Sequence, residues 1–357
     1  MNMSQIRLAL ADKDTRFLSK LSDYLQKNRT TRFIMELFTS PANLEEWLAH
    51  GGTADLIAIS SSFFSEMSAK PGSKNVVILG DGADSLIPEG YSSIRKYVPA
   101  ENLMKEIISL CAENIRGGIR EKADSGNIHF VVYADGSGLA NPLGPAMAGV
   151  LAKSGKQVFY INLDELSDTD SYFTGTNSKG LSEMLYYVKS NKSNLAMKAE
   201  ACTSKDMESG VYFMKGQNNP DDTASLSPSE CEALIQSIRA CCDDIVISRA
   251  FRADPVLPVL LKNAQNIYIA SSCCGTSRMR LLKIISLLPG FEEKYEQNIK
   301  NRILICTAAF DSRQPVRRAD IPSCPEAVLP FPYEEVGSDS FSEDYMTAVG
   351  ALLNKRG

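Results

Sequence analysis

The residues with the clearest chemical potential lie in one loop: Asp135, Gly136, Ser137, Gly138, Leu139, Ala140, Asn141 and Pro142. An apolar run of strand character, Ile128 to Tyr133, precedes it. An alanine-rich helical stretch follows, ending in LAKSGK, and leads into a second apolar run, QVFYINLD. Strand, glycine loop, helix and strand make a βαβ unit, in which backbone N–H groups and the helix dipole favour a phosphate beside the loop. Phosphoryl transfer at such a loop follows the pattern GxxxxGK[ST], where the lysine reaches the β- and γ-phosphates and the hydroxyl holds magnesium. Counted back from Leu151 and Ala152, the lysine position is Ala140 and the hydroxyl position is Asn141. The scaffold of a phosphate site is kept and its charges are gone.

Two readings stay open for the loop. Gly136, Ser137 and Gly138 can leave N–H groups free for an anion, with Arg249 on a neighbouring strand as a substitute cation, or the glycines serve a structural turn. Asp135 counts against binding, because its charge would repel phosphates in a dry site.

The positioning elements follow from hydrophobic periodicity. IRLALADKD, RFIMELFTS, ADLIAIS, NVVILGD and SSIRKYV read as strands, and TRFLSKLSDYLQKN, NLEEWLAHG and AENLMKEIISLCAENI as helices. This alternation predicts a five-stranded parallel sheet covered on both faces over residues 1–115. ENIRGGIREKADSG, Glu113 to Gly126, mixes charge with glycine and carries no apolar period; residues 116–126 read as the linker between the two domains. Residues 127–357 read as a second doubly wound α/β domain with further strands at GVYFMKG, DDIVISRAF, QNIYIASS and NRILICTAAF. LSEMLYYVKSNKSNLAMKAEA reads as helical, RMRLLKIISLLPGFEEKYEQNI as a helix ending at the Pro289-Gly290 turn, and LPFPYEEV as a loop before a last helix.

Composition narrows the function class. The 357 residues are 44% hydrophobic and 23% charged, as in an ordinary soluble protein. A net charge of -5 offers no global basic field for nucleic acid. No apolar run approaches a membrane span and the first residues lack a signal-peptide layout, so a cytoplasmic location is expected. Nine cysteines, with no CxxC, read as reduced, buried thiols, and with only His50 and His129 available no zinc site is expected. CCGTSR (Cys273 to Arg278) reads either as a reactive-thiol loop or as packed cysteines before a capped helix; RQPVRRAD reads as a solvated basic loop or as a contact for an acidic partner or headgroups.

The first 115 residues resemble a response-regulator receiver domain of flavodoxin-like fold, carried by the strand–helix order and KYVPAENLMKEI after the fifth strand. The resemblance implies an acidic magnesium site and a phosphorylated aspartate ending the third strand. Here Asp12 and Asp14 stand for part of the cluster, or are a solvated strand-end pair; the third strand ends at Ser60, and Lys96 matches the family's lysine. The missing carboxylate implies a pseudo-receiver. Residues 127–357 resemble the MinD/ParA branch of P-loop ATPases through GKQVFYINLDEL and GLSEMLYYVKSNKSNL, and the two-domain order is similar to the TadZ/CpaE pilus-assembly family. On that resemblance Asp135 stands at the signature lysine, Asn162 and Asp164 at the acidic switch positions, and Arg249, or Ser248 with a one-residue shift, at the Walker B aspartate. The implied function is a non-catalytic scaffold or localisation factor, cytoplasmic, polar and peripheral to an inner-membrane complex. Pilus or secretion proteins would be its partners, and it would form a homodimer or pair with an active ATPase. No metal or cofactor is expected; the alternative is an ATP-binding dimerisation switch with magnesium and little hydrolysis.

Overall fold

The computed structural model describes residues 6–27, 33–80, 87, 90–114, 126–136, 138–190, 192, 194–239, 242–295, 298–310, 324–334 and 340–354. Ser137, Cys241, the RQPVRRAD stretch and all of the 116–126 linker but Gly126 lie outside them. The chain divides into two compact units, Met1–Glu121 with Lys192–Ala201, and Lys122–Asn191 with Cys202–Gly357.

In the first unit the elements run β1 (Ile6–Ala11), α1 (Thr15–Lys27), β2 (Phe33–Phe38), α2 (Pro41–Ala49), β3 (Leu56–Ser60), α3 (Ser61–Glu66), β4 (Val76–Gly80), β5 (Ser92–Arg95) and α4 (Ala100–Asn114). The sheet is parallel with order β2-β1-β3-β4-β5, that of doubly wound flavodoxin-like folds. Alternation along β1 explains the two layers. Leu8 and Leu10 join Leu18, Leu21, Leu103 and Ile107 on one face, while Ala9 and Ala11 join Leu44, Phe63 and Phe64 on the other. Met197 is fully buried in the first of these clusters. That burial is why Lys192–Ala201 belongs to this unit, although sequence alone assigned the whole of 127–357 to the second domain.

The later elements are β6 (Asn127–Tyr133), α5 (Leu143–Lys153), β7 (Val158–Asn162), α6 (Thr169–Tyr172), α7 (Leu181–Lys189), α8 (Leu195–Cys202), β8 (Ser204–Lys205), β9 (Tyr212–Phe213), α9 (Asp221–Ala224), α10 (Pro228–Arg239), β10 (Asp244–Ala250), α11 (Leu257–Asn263), β11 (Asn266–Ser272), α12 (Gly275–Tyr295), β12 (Ile303–Ala308), β13 (Glu326–Leu329) and α13 (Glu343–Asn354). All of α8 but its last residue, Cys202, lies in the stretch just assigned to the first unit; the strands among the other elements build an eight-stranded sheet, β13-β12-β11-β6-β10-β7-β9-β8, parallel except at β8–β9. From β6 the chain crosses to β7 on one side of the sheet, and from β10 it crosses to β11 on the other. The carboxyl ends of β6 and β10 therefore flank a topological switch point, where open α/β sheets place their ligands. Helix α5 is buried at nearly every position from Leu143 to Leu151, because its alanines and glycines let strand and helix approach closely.

Three sequence expectations are corrected. The helical stretch after Gly180 is two helices, broken where Asn194 takes a φ of 58°. Helix α12 does not stop at Pro289 but continues to Tyr295. Leu281, Ile284 and Leu288 anchor one side of it, and Pro289 and Gly290 lie on the exposed side, where a carbonyl robbed of its donor can meet water. The stretch before LPFPYEEV contains an edge strand, β13, too short to show a period.

At the amino end of the sheet, His129 Nε2 lies 3.0 Å and Lys156 Nζ 2.8 Å from the two oxygens of buried Asp244. Burial alone would raise the Asp244 carboxyl, but the hydrogen bonds from His129 and Lys156 outweigh it and hold it below the usual range. A depressed folded value means the carboxylate contributes stability that is complete above the unfolded value, about pH 4, and is lost as pH falls through the folded one. Acid titrations of unfolding free energy should show this loss in the native chain, and Asp244→Asn should lack that part of the acid slope; an unchanged slope would show that Asp244 does not carry it.

Candidate functional site

The loop after β6 is closed on itself. Gly136 takes a φ of +95°, a left-handed conformation suited to glycine. Ala134 N–H donates to Ala270 O at 2.9 Å, and Arg280 Nε donates back to Ala134 O at 2.7 Å. Asp135 turns toward β11 and accepts from the Ser272 N–H at 2.9 Å. The Tyr333 hydroxyl holds Leu139 O at 2.8 Å.

Asn141, at the magnesium-hydroxyl position, is buried and faces inward. Its Nδ2 donates to Ser271 O at 3.0 Å and Cys306 O at 2.8 Å, and its Oδ1 accepts from the Tyr345 hydroxyl at 2.7 Å. With these bonds it ties the loop to β11, β12 and α13. Ala140, at the lysine position, brings no charge.

A phosphate would need the four N–H positions at the start of α5. Pro142 sits at φ -76°, ψ 51°, close to an inverse γ-turn, and Leu143 N–H donates to Asn141 O at 2.8 Å across it. The Tyr133 hydroxyl lies against Gly144, where an added Cβ would come within 2.8 Å of it. Pro145 has no N–H, and Ala146 N–H closes on Pro142 O at 3.2 Å. At the helix start, Leu143 N–H is used within the turn, and Pro142 and Pro145 have none.

Tyr133 fills the cradle. It is 2% exposed, and a Cβ on Gly138 would come within 3.0 Å of its ring, one on Gly144 within 2.8 Å of its hydroxyl. Tyr160 and Ser248 join it, with their hydroxyl oxygens 2.8 Å apart. Desolvation drives the phenols of both Tyr133 and Tyr160 far above their ordinary value, so both stay neutral donors. Ser248 is the β10 residue beneath the loop. Arg249 points to the opposite face, as strand alternation requires, and is paired with Asp254 at 2.6 Å. The structure therefore does not bring Arg249 to Gly136 and Gly138.

The switch-like turn after β7 is also tied internally. Asn162 Oδ1 accepts from Asp164 N–H at 2.8 Å, and its Nδ2 donates to Asp168 at 2.7 Å. Asp164 accepts from Ala250 N–H at 2.6 Å, yet burial outweighs that bond and raises its carboxyl; Asp168 is raised by burial too. Sequence reasoning missed Tyr133, Tyr160, Asp168, Tyr333 and Tyr345. The available signal was Tyr133 itself, a hydroxyl ending a buried strand that must find a partner there.

In the first unit Asp12 and Lys96 meet at 2.8 Å and are 2% and 4% exposed, so Asp12 is no solvated strand-end residue. Its other oxygen accepts from Asp14 N–H at 2.9 Å. Asp14 is not part of the pair: its carboxylate caps α1 through the Arg16 and Phe17 N–H groups, both at 3.1 Å. Ser60 is buried at the end of β3, its hydroxyl 3.5 Å from that of Ser62. Among the described residues no group of acidic, His or Cys side chains could hold a metal ion.

The cysteines only partly match the expected buried thiols. Cys202, Cys231, Cys242 and Cys306 are buried, but Cys273, Cys274 and Cys324 are half-buried. Burial would raise Cys274, yet hydroxyls of Ser277 and Thr276, at 2.8 Å and 3.2 Å, bring its thiol down to about 7.

In fold the chain is similar to a ParA family ATPase from Chlorobium tepidum TLS, at 15% identity and a TM-score of 0.48, covering 65% of this chain and 92% of that one. It is similar to cobyrinic acid a,c-diamide synthase from Mycobacterium smegmatis with a bound ATP analogue and magnesium, at 13% identity and a TM-score of 0.48, covering 65% and 96%. The septum site-determining protein MinD from Pyrococcus horikoshii OT3, complexed with Mg-ADP, gives 13% identity and a TM-score of 0.46, covering 65% and 97%. No family model matches the chain, and no curated protein does.

Proposed function

We propose that this chain is a non-catalytic scaffold or localisation factor resembling TadZ/CpaE, acting through protein contacts in Tad or type IV pilus assembly or secretion. Its first unit would be a pseudo-receiver and its second a degenerate MinD/ParA-type unit. The observation that carries the reading is the start of α5, where Leu143 N–H is spent on Asn141 O, Pro142 and Pro145 have no N–H, and the Tyr133 side chain packs against Gly138 and Gly144. Phosphoryl transfer rests on a lysine and on a hydroxyl that holds magnesium, and Ala140 and Asn141 supply neither. The buried Asp12–Lys96 pair and Ser60 support the same reading of the first unit. The pilus or secretion context rests on the two-domain sequence resemblance.

Calorimetric titration with ATP, with and without magnesium, tests it. No binding heat and no shift in melting temperature at millimolar ATP are expected. Micromolar binding strengthened by magnesium would overturn the scaffold reading in favour of an ATP-dependent dimerisation switch.

A further inference from the structure

Among the described residues the two sheets end in four edge strands, and three of them are short. β5 and β13 have four residues each, and β8 has two. β2 is different: FIMELF has six residues, no proline, lysine or arginine, and Glu36 as its one charge. Its register with β1 runs unbroken from Ile6 opposite Phe33 to Ala11 opposite Phe38, so no bulge bends it away. Short strands, prolines, lysines and bulges are what keep an edge from accepting another strand, and β2 has none of them. The direction of its free groups is fixed. Asp12 N–H donates to Phe38 O at 3.0 Å, so that carbonyl faces β1. Backbone groups alternate in direction along a strand, which turns those of Ile34 and Glu36 toward β1 and those of Phe33, Met35 and Leu37 to the open side. Ile34, on one face beside that side, is 37% exposed, and Leu37, on the other, 43%. The groove next to Leu37 is lined by Thr15, Ser19 and Ser22 of α1, small side chains that leave room for a neighbouring strand.

We propose that β2 is the interface of a homodimer, paired antiparallel with β2 of a second copy about a two-fold axis through Met35. The outward groups are centred on Met35, so this register uses all of them. Met35 exchanges N–H···O bonds with its own counterpart, and Phe33 exchanges them with Leu37 of the second copy. Like charges also stay apart, because Glu36 then lies across from Ile34 and not from the other Glu36. A register centred on Glu36 would set the two carboxylates opposite each other. Self-pairing therefore meets every outward backbone group of β2 with an apolar strand of matching length, which is what selects a second copy as the occupant. The pairing does not depend on whether the second unit takes up nucleotide.

Light scattering of the full chain after size-exclusion chromatography tests this. The native protein should have twice the mass of one chain. Leu37→Pro removes an outward N–H and no bond to β1, and Leu37→Lys sets an ammonium on the edge; each should give the mass of one chain. Ile34→Lys should leave the dimer intact, because in this register it meets Glu36 of the second copy. Both positions are exposed, so circular dichroism and the fluorescence of Trp47 should stay native in Leu37→Lys and Ile34→Lys. A native protein with the mass of one chain, a dimer indifferent to both Leu37 variants, or a dimer lost in Ile34→Lys would overturn the proposal. A monomer that binds an extended segment of another protein along β2 would replace the second copy with a foreign strand and overturn it as well.

Discussion

Tyr133→Ala is expected to destabilise the second unit by about 3–5 kcal/mol, the range for truncating a large buried aromatic. The ring is packed where the loop and the first turn of α5 converge, against Gly138 and Gly144, so the surroundings have little freedom to collapse into the space it leaves. The hydroxyl matters separately. Tyr133→Phe keeps the ring but removes a hydroxyl buried against Gly144, for a cost of about 1–3 kcal/mol. Urea unfolding followed by far-ultraviolet circular dichroism reads both. The alanine variant has a second consequence: the space over Gly138 and Gly144 is opened, so inorganic phosphate should raise the melting temperature of Tyr133→Ala and leave that of the native protein unchanged. A cost below about 1 kcal/mol for the alanine variant would show that the ring is not what fills the cradle.

Breaking the Asp12–Lys96 pair should have a comparable effect on the first unit. Both side chains are almost wholly buried, so Lys96→Ala leaves a carboxylate without its counter-charge, at a cost of about 3–5 kcal/mol. Replacing both residues with apolar ones of similar volume, Asp12→Leu with Lys96→Met, should cost markedly less, because no charge is stranded. Trp47 is the only tryptophan and packs on Phe38 within this unit, with ring centroids 5.3 Å apart, so its fluorescence follows unfolding of this unit. Equal losses for the single and double variants would mean that the pair is held by its surroundings and not by its charges.

The alternation of apolar strands with amphipathic helices, the buried β6 and β7 runs, and the glycine loop between β6 and α5 were legible without coordinates, because periodicity and turn chemistry are local properties. So was the absence of a lysine and a hydroxyl at Ala140 and Asn141, since a missing functional group needs no structure to be noticed. What fills the cradle was not legible. Tyr133 lies next to the loop in sequence, but Ser248 and Tyr345 reach the site from strands and helices more than a hundred residues away, and the β6–β10 register alone puts Ser248, not Arg249, under Gly144. A one-residue step on a strand changes face, so sequence left Arg249 as a candidate cation where the sheet turns it to Asp254. Asp12 likewise read as a solvated strand end or a site remnant, and the fold buries it beside Lys96, which removes the solvated reading. The sequence by itself places alanine and asparagine at 140 and 141; only the tertiary structure decided that Tyr133 packs against Gly138 and Gly144 and that Asn141 bonds Ser271, Cys306 and Tyr345, because that depends on which distant groups the sheet brings into range.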